Sequence, residues 1–517
     1  MNNLKRFLLI LLVAVFSFSG SFTSVFAYTI EITPDDGDET DDTDTSDEDD
    51  GDSQNEEDNT DVSSESGTTA FEGLSYFVDV EKREAVLTGV ASGEVSELNI
   101  PNSITYGGKT YPVTGIEEYA FYNSSLTEVT LGANVKKIKE GAFAFSSKLK
   151  KVTANAGLSF IGTGAFMYCG KLKNFQGSAD TVLYTIGSGA FGGTALTSFS
   201  LPDSTDSIGS AAFAGCEALE KIYIGSGCGS IGSGAFAGCN SLGNIIVSKD
   251  NRFLKTENGC VYSIDGRILV FAAGASGELT VAEGTEIIAE CAFEDNANVT
   301  SVVLPDSVRE ICANAFLNAT SLEKVTGAGI EAIREDAFSG CTSLKEFTIP
   351  ATTAVIEGNP FKYCTALTGF AVNKKNTSFK IVRGILSTYD RKKIISVPAA
   401  AGEIILSSKT RTIGSYAFCG NTALTGITFN KKLSTVLTGA FYDCTSLIKV
   451  ALQARSVDFT APVSVAVDGE YYYCRIFENC PDTLTVSVPN ASDAGKEGSI
   501  EYHIRNHCSN GVTIINN

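Results

Sequence analysis

The stretch Ile231-Gly232-Ser233-Gly234-Ala235-Phe236-Ala237-Gly238-Cys239-Asn240-Ser241-Leu242, followed by Gly243-Asn244-Ile245-Ile246-Val247, decides how this chain folds. One unit earlier, Ile208 to Leu219 runs in the same order and ends in Glu220-Lys221-Ile222-Tyr223-Ile224. Working outward in both directions, the same Phe recurs at 121, 143, 166, 191, 213, 236, 293, 316, 338, 361, 418, 441 and 477, mostly in steps of 22 to 25 residues. Ile or Val stands five places before it almost throughout, from Ile116 to Val436. A Leu-x-x-apolar-x-apolar segment follows it, as in Leu219–Ile224 and Leu447–Leu452. Alternation of apolar and polar residues over such a short run is the pattern of a strand with one buried face.

A repeat near 23 residues is too small to bury a core alone. About six inward apolar side chains cannot offset the backbone entropy of ordering the unit, so stability must arise between stacked neighbours. Two steps break the period. Phe236 to Phe293 and Phe361 to Phe418 each span 57 residues, which resolves as a unit of 34 plus one of 23. Each gap is therefore expected to hold one enlarged turn, with Gly259–Phe271 and Gly384–Val397 read as hairpins replacing the Ala-Phe segment. Asp265-Gly266 is a strong hairpin turn and Asp390-Arg391 a weaker one. The block from Phe236 to Phe361 thus repeats 125 residues later, at least to Phe418.

The flanks have another character. Lys5 and Arg6, the apolar run Phe7–Phe18 and Val25-Phe26-Ala27 have the layout of a signal peptide over 1–27, cleaved after Ala27, so export to the medium or the cell surface is expected. Residues 28–70 hold 18 Asp or Glu and no Lys or Arg, and are expected to be an acidic, disordered linker. They account for most of the formal charge of −22, since the rest carries 43 acids against 37 bases apart from Lys5 and Arg6. No transmembrane span is expected in the mature chain. No nucleic-acid partner is expected either, because phosphate binding needs a basic face that this balance does not suggest. The solenoid is assigned to 71–490, about 16 turns with capping repeats at both ends, and 491–517 to a C-terminal tail.

The pattern Ile-Gly-x-x-Ala-Phe-x-Gly-Cys-x-x-Leu of Ile231–Leu242 resembles the BspA-like leucine-rich-repeat proteins. The opening Leu98–Phe121, with Gly108-Lys109-Thr110-Tyr111-Pro112-Val113, is similar to that family's first repeat, and Ile476–Pro481 with Leu484-Thr485-Val486 to its last. The resemblance covers roughly 71–490. It implies a mostly β, right-handed solenoid with short strands on one face and irregular or short helical turns on the other. It also implies a surface or secreted location and frequent adhesion to host or matrix proteins, with no defined catalytic residues.

Several motifs invite sharper readings. Seven Cys (169, 216, 239, 341, 364, 444 and 480) stand three places after a pattern Phe, which marks them as packing positions and favours buried thiols over bridges. Gly187–Gly192 and Gly227–Gly232 match Gly-x-Gly-x-x-Gly but straddle the repeat's own Ile-Gly segment, so they are turn glycines. Gly108-Lys109-Thr110 lacks the first Gly of a phosphate loop, since 103 is Ser. His503, His507 and Cys508 lack the framing of a zinc site. With no His in the repeats and no recurring carboxylate pair, no enzyme activity, cofactor or metal is expected.

The outward strand positions are left to carry function, and among them Lys151, Lys221, Tyr223, Lys324, Glu346 and Lys449 are the candidate binding residues. The expected partner is an extracellular protein or glycan, bound by a monomer. The alternative is a non-catalytic structural or spacer element of the cell surface.

Overall fold

In the computed structural model the residues described are 65–177, 181–399, 402–454, 457–459, 463–467, 470–488, 504–505, 508 and 512–516. The signal-like segment, nearly all of the acidic run, and both histidines lie outside them.

One turn illustrates all. Lys221–Ile224 is a strand with burial alternating outward and inward, Ser230–Ile231 is a second strand of two residues, and a tight turn through Phe236 leads to Asn244–Val247. Successive turns pair in parallel and in register at both places: Lys221 faces Asn244 and Ile222 faces Ile245, while Ser207 faces Ser230 and Ile208 faces Ile231. Two ribbons therefore run along the stack, a face sheet of strands three to five residues long and a narrow ribbon carrying the pattern Ile. All the elements named in chain order are strands, and the side carrying the pattern Phe is built of turns rather than short helices.

Between the ribbons the Phe rings form a ladder. Phe143, Phe166, Phe191, Phe213 and Phe236 are fully or almost fully buried, and consecutive rings stack at 5.2 to 5.3 Å. The turn glycines are dictated by this tight stacking. A Cβ on Gly209 would lie 2.4 Å from the backbone nitrogen of Ser188 in the previous turn. Gly187, in one of the two Gly-x-Gly-x-x-Gly matches, is held the same way, 2.5 Å from the nitrogen of Thr163.

Both enlarged turns are antiparallel meanders. Leu254–Glu257, Cys260–Ser263 and Ile268–Phe271 form the first, and Phe379–Val382, Ile385–Thr388 and Lys393–Ser396 the second, each shifted by 125 residues from its counterpart. The last strand of each rejoins the narrow ribbon, where Leu269 pairs with Ile288 and Ile394 with Ile413. The hydrophobic core divides at these two places into three consecutive segments, ending near Phe271, near Ile395 and at Cys508. In a stack where each turn contacts only its neighbours, such divisions are where cooperativity is weakest.

The ends differ from the boundaries read in the sequence. Gly67–Phe71 is already a strand, antiparallel to Leu74–Asp79, so four residues assigned to the linker belong to the first cap. Gly107-Gly108 is the left-handed turn of the hairpin Ser103–Tyr106/Lys109–Ile116. At the other end Thr513–Asn516 pairs in parallel with Thr485–Val488, so the tail adds a strand to the face sheet. The sequence missed it because Thr513–Asn516 lacks the Ala-Phe segment that marks most of the turns.

Candidate binding face

The parallel register sorts the outward side chains of the face sheet into two files. Glu128, Lys151 and Asn174 stand side by side in the first, as do Ser198, Lys221 and Asn244. Ser200, Tyr223 and Ile246 belong to the second. Lys324 stands beside Ser301, Glu346 beside Gly369, and Lys449 beside Gly426. All six candidate residues are thus on this face, five in the first file and Tyr223 in the second. They do not converge on one pocket. Twelve turn spacings separate Lys151 from Lys449, roughly 55–60 Å at about 4.8 Å per turn.

Charge along the first file is partly cancelled. Lys151 Nζ lies 3.8 Å from Glu128, and Lys449 Nζ lies 3.1 Å from Glu403 two strands away. The second pair exists because Gly426, between them, has no side chain; a Cβ there would sit 3.0 Å from Glu403 Cγ. Lys221 and Lys324 have no ion pair among the described residues. Exposed pairs of this kind contribute little to stability, but they remove charge from the surface a ligand would meet.

The second file holds residues that the sequence reading passed over. Ile246, Val303 and Ile405 point outward with 37%, 37% and 62% exposure. Ile246 sits beside Tyr223, and Ile405 beside Thr428. Alternation alone placed Asn244 outward and would have placed Ile246 there too. Ile404-Ile405-Leu406 is apolar throughout, so its parity emerges only from pairing with Ile427 and Thr428.

The turn side shows how the remaining chemistry is used. Each repeat-locked thiol donates to the carbonyl of the pattern Phe one turn earlier: Cys169 to Phe143, Cys216 to Phe191 and Cys341 to Phe316, all at 3.1 Å. Ser146 and Asn296 occupy the same place and donate likewise, to Phe121 and Ala272. The position therefore selects a small buried donor. Among the described residues eleven cysteines are free thiols, including Cys169, Cys216, Cys341 and Cys364, and burial pushes the Cys169 thiol up to about 12. Buried asparagines form a second set of ties: the amide of Asn251 donates to Gly225 and Cys228 while its oxygen accepts from Phe253 and Leu254.

One polar cluster bridges the second enlarged turn. Lys362 Nζ lies 2.8 Å from Asp336 and 4.0 Å above the Tyr416 ring, and the Tyr363 hydroxyl donates to Asp443 at 2.5 Å. Burial pushes the Tyr363 phenol up, so it remains a donor. Its ring also covers Gly420, where a Cβ would meet it at 2.5 Å. The contacts to Tyr416, Gly420 and Asp443 join residues 54 to 80 apart and clamp one turn to another.

The repeats match a known family model, and several solved structures are similar to the chain. The family model described as a BspA type leucine rich repeat region matches residues 92–183, 178–263, 270–381 and 400–461. Among solved structures, a leucine rich cell surface protein from Faecalibacterium prausnitzii is similar at 22% identity, over 75% of this chain and 95% of that one, with a TM-score of 0.47. The pneumococcal vaccine antigen PcpA is similar at 19% identity, over 87% and 98%, TM-score 0.47. A leucine-rich repeat protein from Bacteroides ovatus is similar at 20% identity, over 86% and 99%, TM-score 0.45. No curated protein matches. No helix among the described residues is long and apolar enough to cross a membrane.

Proposed function

Because the chain belongs to the BspA-type leucine-rich-repeat family, we propose that it is an exported, non-catalytic binding protein that holds an extracellular protein or glycan along its face sheet. Proteins of this family are typically secreted or at the cell surface, and the Lys5–Ala27 layout supports export. One observation carries the reading. The outward second file presents Ile246, Val303 and Ile405 to solvent, with Tyr223 half-buried beside Ile246, on a sheet whose inward positions are already filled with buried apolar side chains. These outward residues gain nothing from the core, and large exposed apolar side chains on a rigid sheet are the usual anchors of a protein contact.

The unpaired Lys221 and Lys324 lie in the neighbouring file and supply a charged rim to that contact. Lys151 and Lys449 contribute less, since each already faces a glutamate. The test screens the full exported chain against matrix proteins and a glycan array, then compares Tyr223→Ala with Ile246→Ser, and Lys221→Glu with Lys324→Glu. Each pair is expected to weaken binding at least tenfold, the lysine pair with an altered salt dependence. Unchanged affinity in both would move the site off this face. A screen without any ligand would favour a spacer.

A further inference from the structure

The two enlarged turns share a backbone but not a charge. Residues 249–307 carry four bases and ten acids, whereas the equivalent residues 374–432 carry eleven bases and two acids. The overall balance concealed this basic region, which the sequence reading did not anticipate. Five of its members, Lys392, Lys409, Arg411, Lys431 and Lys432, are brought to adjoining corners. The Asn430 amide donates to the carbonyls of Ser407 and Thr410, setting the corner with Lys431 and Lys432 against the corner with Lys409. The Arg411 guanidinium donates to three carbonyls of that same corner, and its backbone NH bonds the carbonyl of Lys392 at the hairpin end. Lys374 and Lys375 stand exposed at the foot of the hairpin.

Almost nothing within the described residues neutralises them. Of the eleven bases only Lys392 has a carboxylate within ion-pair reach, Asp390 at 3.3 Å, and Glu403 is engaged by Lys449. Eight of the eleven are lysines, point charges on flexible stems that suit an irregular run of anions better than one planar phosphate.

We propose that this basic corner docks the acidic segment 35–61 of a second copy of the chain. The complement is in the sequence itself, seventeen acids and no base between 31 and 61. Reach selects the second copy over the first. The chain enters the described part at Glu65, beside the strand Gly67–Phe71 at the far edge of the sheet. Roughly fourteen strand spacings separate that edge from the corner, about 65 Å. Residues 44–65 span about 75 Å only at full extension, so a copy brings to its own corner at most the eight acids up to Asp44, and those only with the segment fully stretched, while a neighbour brings all seventeen. Such a contact is heterologous, tail on corner, and the orientation of the copies sets whether it closes by mutual exchange or runs on as a chain. It departs from the monomer expected from sequence, and it is separable from the face-sheet proposal because its lysines lie in the corners that follow the face strands and not among the outward residues of those strands.

The experiment combines sedimentation of the exported full chain at 50 and 300 mM salt with binding of a labelled peptide of residues 35–61. Expected are concentration-dependent association at low salt and peptide binding weakened at least tenfold at 300 mM. Lys409→Glu with Lys431→Glu and Lys432→Glu is expected to abolish both, whereas Arg252→Glu with Lys255→Glu in the first block leaves both unchanged. Peptide binding undiminished by the triple reversal would overturn the proposal. So would a monomer at every concentration, and so would capture of inorganic polyphosphate at this corner by a chain that ignores the peptide, which would assign it to an outside polyanion.

Discussion

The first enlarged turn and the second are two solutions to one geometric problem, and they agree wherever a side chain faces inward to the backbone. Asn251 and Asn376 make the same four bonds, 125 residues apart: the amide of Asn376 donates to Pro350 and Thr353, and its oxygen accepts from Ser378 and Phe379. Asp265 and Asp390 each accept from a hydroxyl two residues before and an NH two residues after. The blocks part where packing allows choice. Phe271 continues the ring ladder, 4.7 Å from Phe236, while Ser396 fills the equivalent place. Ile264 at one hairpin tip becomes Tyr389 at the other, both about half exposed, and the surface charge reverses. Duplication preserved what the turn needs and released the rest for function.

The largest expected effect sharpens the difference in the ladder. Phe236→Ala and Phe361→Ala should each cost about 3–5 kcal/mol, the range for emptying a buried Phe site. Phe361→Ala should cost at least as much as Phe236→Ala, because Phe361 meets three rings, Phe338, Phe347 and Phe370, whereas Phe236 stacks between two, Phe213 and Phe271. Hydrogen exchange should show protection lost in the mutated and adjacent turns alone; loss throughout the chain would mean the divided core is one cooperative unit.

Next in size is a test of the shared frame. Asn251→Ala and Asn376→Ala each strand two buried carbonyls and two NH groups and should cost about 2–3 kcal/mol, equal within error. Urea unfolding of the two variants measures this, and unequal costs would show that the duplicated frame has drifted.

The smallest effect concerns the tips. Arg391 adopts φ 67° where Gly266 has φ 78°. Arg391→Gly should relieve left-handed strain worth about 1 kcal/mol and Gly266→Ala should introduce about as much. Opposite signs in thermal unfolding confirm the equivalence; a destabilising Arg391→Gly would mean that the arginine makes contacts outweighing its backbone strain.

Much of this was legible in the residues, and for a definite reason. The period of Phe, Ile and Leu places each inward side chain, and inward placement depends on a residue's own position in its turn. The repeat, both 57-residue gaps, both hairpins and the packing role of the cysteines follow from that, as does the outward location of Lys151, Lys221, Tyr223, Lys324, Glu346 and Lys449. What only the tertiary structure decided are relations between turns. Lys449 meets Glu403 across the bare Gly426, Lys362 meets Tyr416 across an enlarged turn, and Ile405 faces outward because Thr428 does. The basic corner likewise gathers side chains from 374 to 432 that no local pattern joins. Such contacts depend on how far the hairpins shift one turn against the next, and a pattern within a single turn carries no record of that shift.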